Sequence, residues 1–127
     1  MRLRPFLRRL ARDERGVTAI EYGFVFPVFA LMLLGGIWAS LLVFSVDSLD
    51  LAAQSAARCM AVDVNNCGTA SATQTFAQGR YAGPNISPVF TATTTGCGHT
   101  VTATASFDLR VLPGLVAVPL SVSACYP

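Results

Sequence analysis

The sequence has few charges and lacks the residue patterns that most enzymes use. Only 13% of its 127 residues are charged, against about a quarter in ordinary soluble domains. It contains one histidine, His99, and no glycine-rich phosphate loop, metal-binding motif or nucleophile motif. We therefore expect neither catalytic residues nor a cofactor. Asp47 and Asp50 share a helix face, where paired acids are typical of a solvated surface.

Basic residues are scarce beyond the first 16 positions, which argues against a nucleic-acid partner. Residues 1–16 hold six arginines against two acids, a local charge of +4. Residues 17–127 hold three arginines against five acids, a local charge of −2. A basic start followed by an apolar run is typical of a targeting or membrane segment.

The longest apolar run, from Tyr22 to Val46, has no charged residue over 25 positions. As a helix it would span roughly 37 Å, enough to cross a hydrocarbon core of about 30 Å with some tilt. We therefore predict one transmembrane helix over residues 22–46. Because the arginines precede it, the N-terminus is expected in the cytoplasm and the C-terminal part outside. The run is too long for an ordinary cleaved signal peptide, and the acids that follow Arg8-Arg9 disfavour a twin-arginine signal.

Small residues and a proline interrupt this run. Pro27 removes a backbone donor about one turn after the run begins, so a kink is predicted. Gly35 with Ala39, and Gly36 with Ser40, form two small-xxx-small pairs that let another helix approach closely. Glycine and proline are also common in membrane helices generally, so an interface and a composition effect both stay open.

Beyond the membrane the helix is expected to continue. Leu49, Ala53 and Met60 recur at helical spacing, which extends the helix to about Val62, and a short second helix is expected over residues 70–80. Three strands follow from alternation of apolar and polar residues, at 89–95, 99–110 and 118–124. The predicted fold class is α+β, with the long N-terminal transmembrane helix packed on a small antiparallel β-sheet.

Two details of the predicted sheet bear on its surroundings. Pro119, near the start of the third strand, suggests an edge strand because proline cannot donate to the ladder. The apolar stretch 111–118 either folds over the small core or contacts a partner or the membrane surface.

Four cysteines lie in the part expected to be exported, where oxidation to disulfides is expected: Cys59, Cys67, Cys97 and Cys125. Three pairings are possible, and proximity favours Cys59–Cys67 and Cys97–Cys125. Each disulfide would contribute roughly 2–4 kcal/mol. A metal site formed with His99 is disfavoured because no CxxC pair is present.

The junction between the basic start and the apolar run carries the most specific motif. Gly16 is followed by VTAIEY, with Val17 first and Glu21-Tyr22 last, and this resembles the processing site of type IV-like prepilins. The Glu21-Tyr22 pair, Pro27, the glycines at 35 and 36, and the stretch LAAQSAARCM at 51–60 resemble the TadE-like pseudopilins of the Flp/Tad branch. The resemblance covers roughly residues 15–62, and the remainder only in general layout.

This resemblance implies that a membrane prepilin peptidase cleaves after Gly16, which removes residues 1–16 and creates an α-amine on Val17. In a lipid-like environment an ammonium and a carboxylate are each poorly solvated alone. Our hypothesis is that Glu21 neutralises the Val17 amine of a neighbouring subunit. The competing interpretation places Glu21 in the headgroup layer, with Tyr22 as an ordinary interfacial aromatic.

The resemblance also implies a role as a minor pilin or pseudopilin in assembly of a Tad/Flp-type pilus, for attachment or secretion. Major Flp pilins are very short, and the long C-terminal part here favours a minor role. The domains would be a leader (1–16), a long helix (17–62) and a small disulfide-bonded exported domain (63–127).

The expected location is the bacterial inner membrane with a periplasmic C-terminal domain, or an extracellular pilus. Expected partners are prepilin peptidase, other Tad/Flp pilins and pseudopilins, the inner-membrane assembly platform and membrane lipid. Two alternatives stay open, a binding tip and an uncleaved single-pass envelope protein with an exported binding domain.

Overall fold

The computed structural model describes residues 16–108 and 117–127. These residues form three helices, α1 (Val17–Val62), α2 (Val64–Cys67) and α3 (Ala70–Arg80), and three strands, β1 (Val89–Thr95), β2 (Gly98–Asp108) and β3 (Ala117–Tyr126). Contacts divide the chain into two units after Ile37. We call the unit that begins at Trp38 the folded unit.

Residues 19–37 lie in the first part of α1 and expose nearly all of their apolar side chains. Phe24 and Phe26, for example, are 77% and 68% exposed. A contiguous apolar surface of this kind marks contact with lipid or with another protein. Pro27 lacks the N–H that would bond the carbonyl of Gly23, yet α1 continues through it as one helix from Val17 to Val62.

In the folded unit, one face of α1 packs on the sheet and consists mainly of alanine. Five of its residues are at most 1% exposed: Leu49, Ala52, Ala53, Ala56 and Ala57. Asp47, Gln54 and Arg58 lie on the exposed side of the helix. Alanine combines high helix propensity with a small side chain, so this face can approach the sheet closely. The spacing of Leu49 and Ala53 predicted this face correctly.

The sheet has the order β1-β2-β3 with both pairs antiparallel, so β3 is an edge strand, as Pro119 predicted. Phe90 of β1 lies opposite Ala103 of β2, and both are buried against α1 together with Val101. A long apolar N-terminal helix packed on a small three-stranded antiparallel sheet is an α+β arrangement, and the predicted fold class is confirmed.

The predicted bounds of most elements agree with the structure. α1 ends at Val62, and α3 and β1 have the predicted limits. β2 is seen from Gly98 to Asp108, while residues 109–110 of the prediction lie outside the described residues. The same holds for residues 111–116 of the apolar stretch. Ala117 and Val118, its last two residues, belong to β3, which is longer than predicted at both ends.

The short helix α2 was not predicted. Asp63 caps it, because its carboxylate accepts hydrogen bonds from the side-chain amide of Asn66 at 2.6 Å and from the backbone N–H of Asn66 at 3.2 Å. These hydrogen bonds, the side-chain one first, lower the pKa of the Asp63 carboxyl below its usual value. Aspartate is among the preferred N-cap residues, so Asp63 is a capping signal that the sequence contains.

Two disulfides hold the folded unit. Cys59 in the last turn of α1 is bonded to Cys67 at the end of α2, with the Cα atoms 5.7 Å apart. Cys97 in the β1–β2 turn is bonded to Cys125 near the end of β3, with the Cα atoms 6.6 Å apart. These are the pairs that proximity in sequence favoured.

Tyr81 fixes the loop that follows α3. Its hydroxyl donates a hydrogen bond to the carbonyl of Pro84 at 2.8 Å, and the N–H of Ala82 donates to the Ser48 hydroxyl of α1 at 3.0 Å. A side chain at Gly83 would overlap the Tyr81 ring, so this close approach requires glycine. Burial raises the pKa of the Tyr81 phenol above its usual value.

Candidate processing and assembly site

The junction between the predicted leader and the helix is accessible. Gly16 is exposed and directly precedes Val17, the first residue of α1. A Cβ built on Gly16 would meet no atom within 4 Å. Among the described residues, packing therefore does not require glycine here, and the role of Gly16 at a processing site stays a prediction. Residues 1–15, which hold nearly all of the predicted leader, lie outside the described residues.

Glu21 and Tyr22 follow on the second turn of α1, and both are exposed. Within residues 16–108 and 117–127, no group forms a hydrogen bond or an ion pair with Glu21. Glu21 lies four residues after Val17, so the two positions share one face of the helix. Glu21 is therefore an unpaired carboxylate among the described residues of an apolar helix, and its pairing with a neighbouring subunit stays a prediction.

The small residues of the predicted packing face are also on α1. Gly35, Gly36, Ala39 and Ser40 are all exposed. A Cβ built on Gly35 or Gly36 would meet no atom within 4 Å, so packing inside the chain does not require glycine at either position. An interface with a second helix and the general frequency of glycine in membrane helices therefore both stay open as explanations.

The cysteines and His99 do not form a metal site with each other. All four cysteine sulfurs are in disulfides, so none is a thiolate ligand. Nδ1 of His99 is buried without a hydrogen-bond partner among the described residues, and His99 pairs with Tyr126 across the β2–β3 ladder. In that same part of the chain, no group of three or more His, Cys, Asp or Glu could hold a metal ion.

One open groove lies between the later part of α1 and the edge strand β3. Its volume is about 450 Å³, and its lining includes Asp50, Gln54, Arg58, Ser123 and Tyr126. The Gln54 amide donates a hydrogen bond to the Asp50 carboxylate at 2.6 Å, so Asp50 already has a partner there. The groove is one place in the folded unit where the binding-tip alternative could act.

These features define a class of protein. By length and composition, the described chain has one helix able to cross a membrane, with its candidate span starting at Ala19. The later part of that helix packs on a small antiparallel sheet, which is the layout of a pilin-like single-pass membrane protein.

The family model described as "TadE-like protein" matches residues 16–58, which are 43 of the 127 residues. Over these residues the chain is similar to the TadE-like family of the Tad pilus system, and the resemblance predicted from the sequence is confirmed. This is a structural pilin family, and its members work with other pilus components. Searches among curated proteins and among solved structures gave no significant match.

The matched segment coincides with the candidate site. It begins at Gly16, includes Glu21, Pro27 and the small residues, and ends at Arg58, before the sheet. The resemblance to the family therefore rests on the helix, and the small sheet is outside it.

Proposed function

We propose that this chain is a minor pilin or pseudopilin that is cleaved after Gly16 by a prepilin peptidase and takes part in assembly of a Tad/Flp-type pilus. The observation that carries the proposal is the family match that starts at Gly16, the residue directly before α1. The chain would be inserted with its N-terminus in the bacterial cytoplasm, because all six arginines of residues 1–16 precede the apolar helix. The folded unit would then lie in the periplasm or in an extracellular pilus.

Accessibility of the junction supports cleavage. A peptidase must bind the chain around Gly16 in an extended form, and Gly16 is exposed with open space around its Cα. Cleavage would remove the whole basic leader, a local charge of +4, and leave an α-amine at the start of an apolar helix. The basic leader holds the N-terminus in the cytoplasm. Once it is removed, the new N-terminus of the helix can enter an apolar assembly.

Glu21 is the residue proposed to receive that amine. A carboxylate in the centre of a bilayer costs about 3 kcal/mol, and less near its edge. An unpaired ammonium carries a similar penalty, so pairing removes both. The carboxylate has no partner in its own described chain. The Val17 amine of a neighbouring pilin would supply one and would fix the axial register of the two helices.

The first experiment measures the intact mass of the membrane-extracted chain, expressed with and without an active prepilin peptidase. The proposal expects the mass to fall by that of residues 1–16, with Val17 as the new N-terminus. A matched variant, Gly16→Val, places a β-branched side chain before the scissile bond and should keep the full mass. An N-terminus at Met1 under both conditions would refute the pilin proposal and favour the uncleaved envelope protein.

The second experiment separates cleavage from assembly. Glu21→Gln keeps the shape of the side chain but removes its charge, so cleavage should continue while co-purification with other Tad pilins falls. Tyr22→Phe is a neutral control one residue away. Unchanged co-purification of the cleaved Glu21→Gln chain would contradict the pairing of Glu21 with a neighbouring amine.

A further inference from the structure

The folded unit begins eight residues before the charge-free run ends. Trp38 packs edge-on against Phe107 of β2, with ring centroids 6.0 Å apart and an interplanar angle of 78°. Phe107 is only 3% exposed, and Ser45 of α1 is fully buried. The Ser45 hydroxyl donates to the carbonyl of Leu41 at 2.7 Å, which satisfies it within the helix. One side of residues 38–46 is therefore covered by the rest of the folded unit and cannot face lipid.

The folded unit has two distinct ends, because α1 and β2 run in opposite directions. Trp38 contacts Phe107 near the C-terminal end of β2. About 30 Å further along α1, Arg58 shares a groove with Tyr126, which pairs with the start of β2 at His99. Trp38 thus marks one end of the unit, and the Cys97–Cys125 disulfide marks the other.

The Trp38 end has the chemistry of a surface in contact with lipid. Leu41, Val43 and Phe44, which we call the apolar collar, are 37%, 59% and 51% exposed. The first charged residue of α1 beyond Trp38 is Asp47. A shallow depression of about 660 Å³ beside Trp38 is lined by uncharged residues of the 84–87 loop and by one acid, Asp108.

The length of the helix fixes where the bilayer can end. The 18 residues from Ile20 to Ile37 span about 27 Å, close to a hydrocarbon core of about 30 Å. Trp38 would then lie at the hydrocarbon boundary, where tryptophan is enriched. The apolar collar would lie about 5–9 Å further out, in an interfacial layer roughly 5–8 Å thick.

The span predicted from the sequence, residues 22–46, would place Trp38 only about 6 Å from the bilayer centre. It would also draw Phe107, Asp108 and the open ends of the strands into hydrocarbon, where backbone groups outside a closed ladder are not tolerated. The shorter span avoids both consequences.

We infer that the Trp38 end of the folded unit rests on the lipid bilayer surface, with Trp38 at the hydrocarbon boundary and the apolar collar in the interfacial layer. This inference rests on the membrane insertion in the proposed function, but not on cleavage or on pilus assembly. The lipid contact is apolar, so it needs no anionic headgroup. It would hold the domain against the membrane before the chain enters a fibre.

Trp38 is the only tryptophan of the chain, so its fluorescence reports its own depth. The full chain is reconstituted at low density in zwitterionic phosphatidylcholine vesicles whose acyl chains carry bromine near the headgroups or near the bilayer centre. Shallow bromines should quench Trp38 more strongly than deep ones, and added salt should not change this. Stronger quenching by deep bromines would overturn the inference in favour of the longer span, residues 22–46. Absence of quenching by either lipid would overturn it by showing that Trp38 does not contact the bilayer.

Two controls in a Trp38→Phe background separate the possible failures. Leu33→Trp places the probe inside the apolar helix and should be quenched mainly by deep bromines. Tyr126→Trp places it at the opposite end of the folded unit and should not be quenched. Loss of quenching for Leu33→Trp would refute membrane insertion itself. Loss of quenching for Trp38, with quenching of Leu33→Trp retained, would overturn only the inferred contact of the folded unit with the bilayer surface.

A label on the collar distinguishes lipid from a second copy of the chain. A polarity-sensitive dye on Phe44→Cys should shift to the blue in vesicles at any protein density. A shift that appears only at high density would overturn the lipid assignment and make the collar a helix–helix contact. Asp47→Cys, on the same helix beyond the collar, is the matched control and should shift less.

Discussion

Replacement of Phe90 by alanine is the sharpest test of how α1 packs on the sheet. Phe90 is 1% exposed and is the largest fully buried side chain described. Most of its neighbours in the core are alanines, which cannot move far enough to fill the space left behind. A buried phenylalanine removes roughly 150–250 Å² from water, worth about 4–6 kcal/mol at 25 cal/mol per Å². Substitutions of this kind cost about 3–5 kcal/mol.

We therefore expect Phe90→Ala to lower the free energy of unfolding of the folded unit by about 4 kcal/mol, a large fraction of the roughly 5–15 kcal/mol of a typical domain. The assay is urea unfolding of the detergent-solubilised chain with intact disulfides, followed by the emission of Trp38. Its contact with Phe107 lies inside the folded unit, so its emission reports that unit.

Val89→Ala is the matched control, because Val89 precedes Phe90 on β1 but is 59% exposed. It should cost about 0.5 kcal/mol. Equal losses for the two variants, or a larger loss for Val89→Ala, would refute the argument. That result would mean that β1 pairs in a register shifted by one residue, which exchanges the two faces of a strand.

Three further predictions concern the same unit. Ala56→Leu should cost about 1–3 kcal/mol in urea unfolding, because Ala56 is fully buried where α1 meets the sheet and extra methyl groups overpack it. Replacing Cys97 and Cys125 together by alanine should lower the free energy of unfolding by about 3–4 kcal/mol, because the bond closes a separation of 28 residues. For Tyr81, whose pKa is raised in the folded chain, stability is fully present below the unfolded pKa of about 10 and should fall as the pH rises above it. Tyr81→Phe should remove that part of the alkaline loss while weakening the loop at neutral pH by about 1 kcal/mol.

Each of these three predictions has a control in a second variant of the same chain. Gln54→Leu adds apolar volume on the exposed side of the same helix and should change stability by less than about 0.5 kcal/mol, so a cost equal to that of Ala56→Leu would contradict the assigned face. The disulfide between Cys59 and Cys67 closes a separation of only 8 residues. Its loss should therefore lower the free energy of unfolding by about 1 kcal/mol less than loss of the Cys97–Cys125 disulfide. An alkaline unfolding profile identical in Tyr81→Phe and the parent chain would assign the pH dependence to another group.

The features of the first part of α1 could be predicted from the sequence, because each depends only on residues that are close together in the chain. Gly16, Glu21 and the apolar run are read directly along the chain, and the family match over residues 16–58 rests on the same positions. The strands were predicted because alternation of apolar and polar residues needs no knowledge of the partner strand. Pro119 identified the edge strand β3 for a similar reason, since a missing N–H excludes it from a central ladder.

Other features depend on contacts between residues distant in the chain. Ser45 and Ser48 are polar, and only the loop after α3 and the packing of the sheet explain why both are buried. Hydropathy extends the apolar run to Val46, because an amino-acid sequence does not tell an apolar residue that faces lipid from one that faces a sheet. The contact between Trp38 and Phe107 makes that distinction, because it assigns residue 38 to the folded unit. The sequence alone thus determines that a long apolar helix precedes a small α+β domain, while tertiary packing decides at which residue of that helix the folded unit begins.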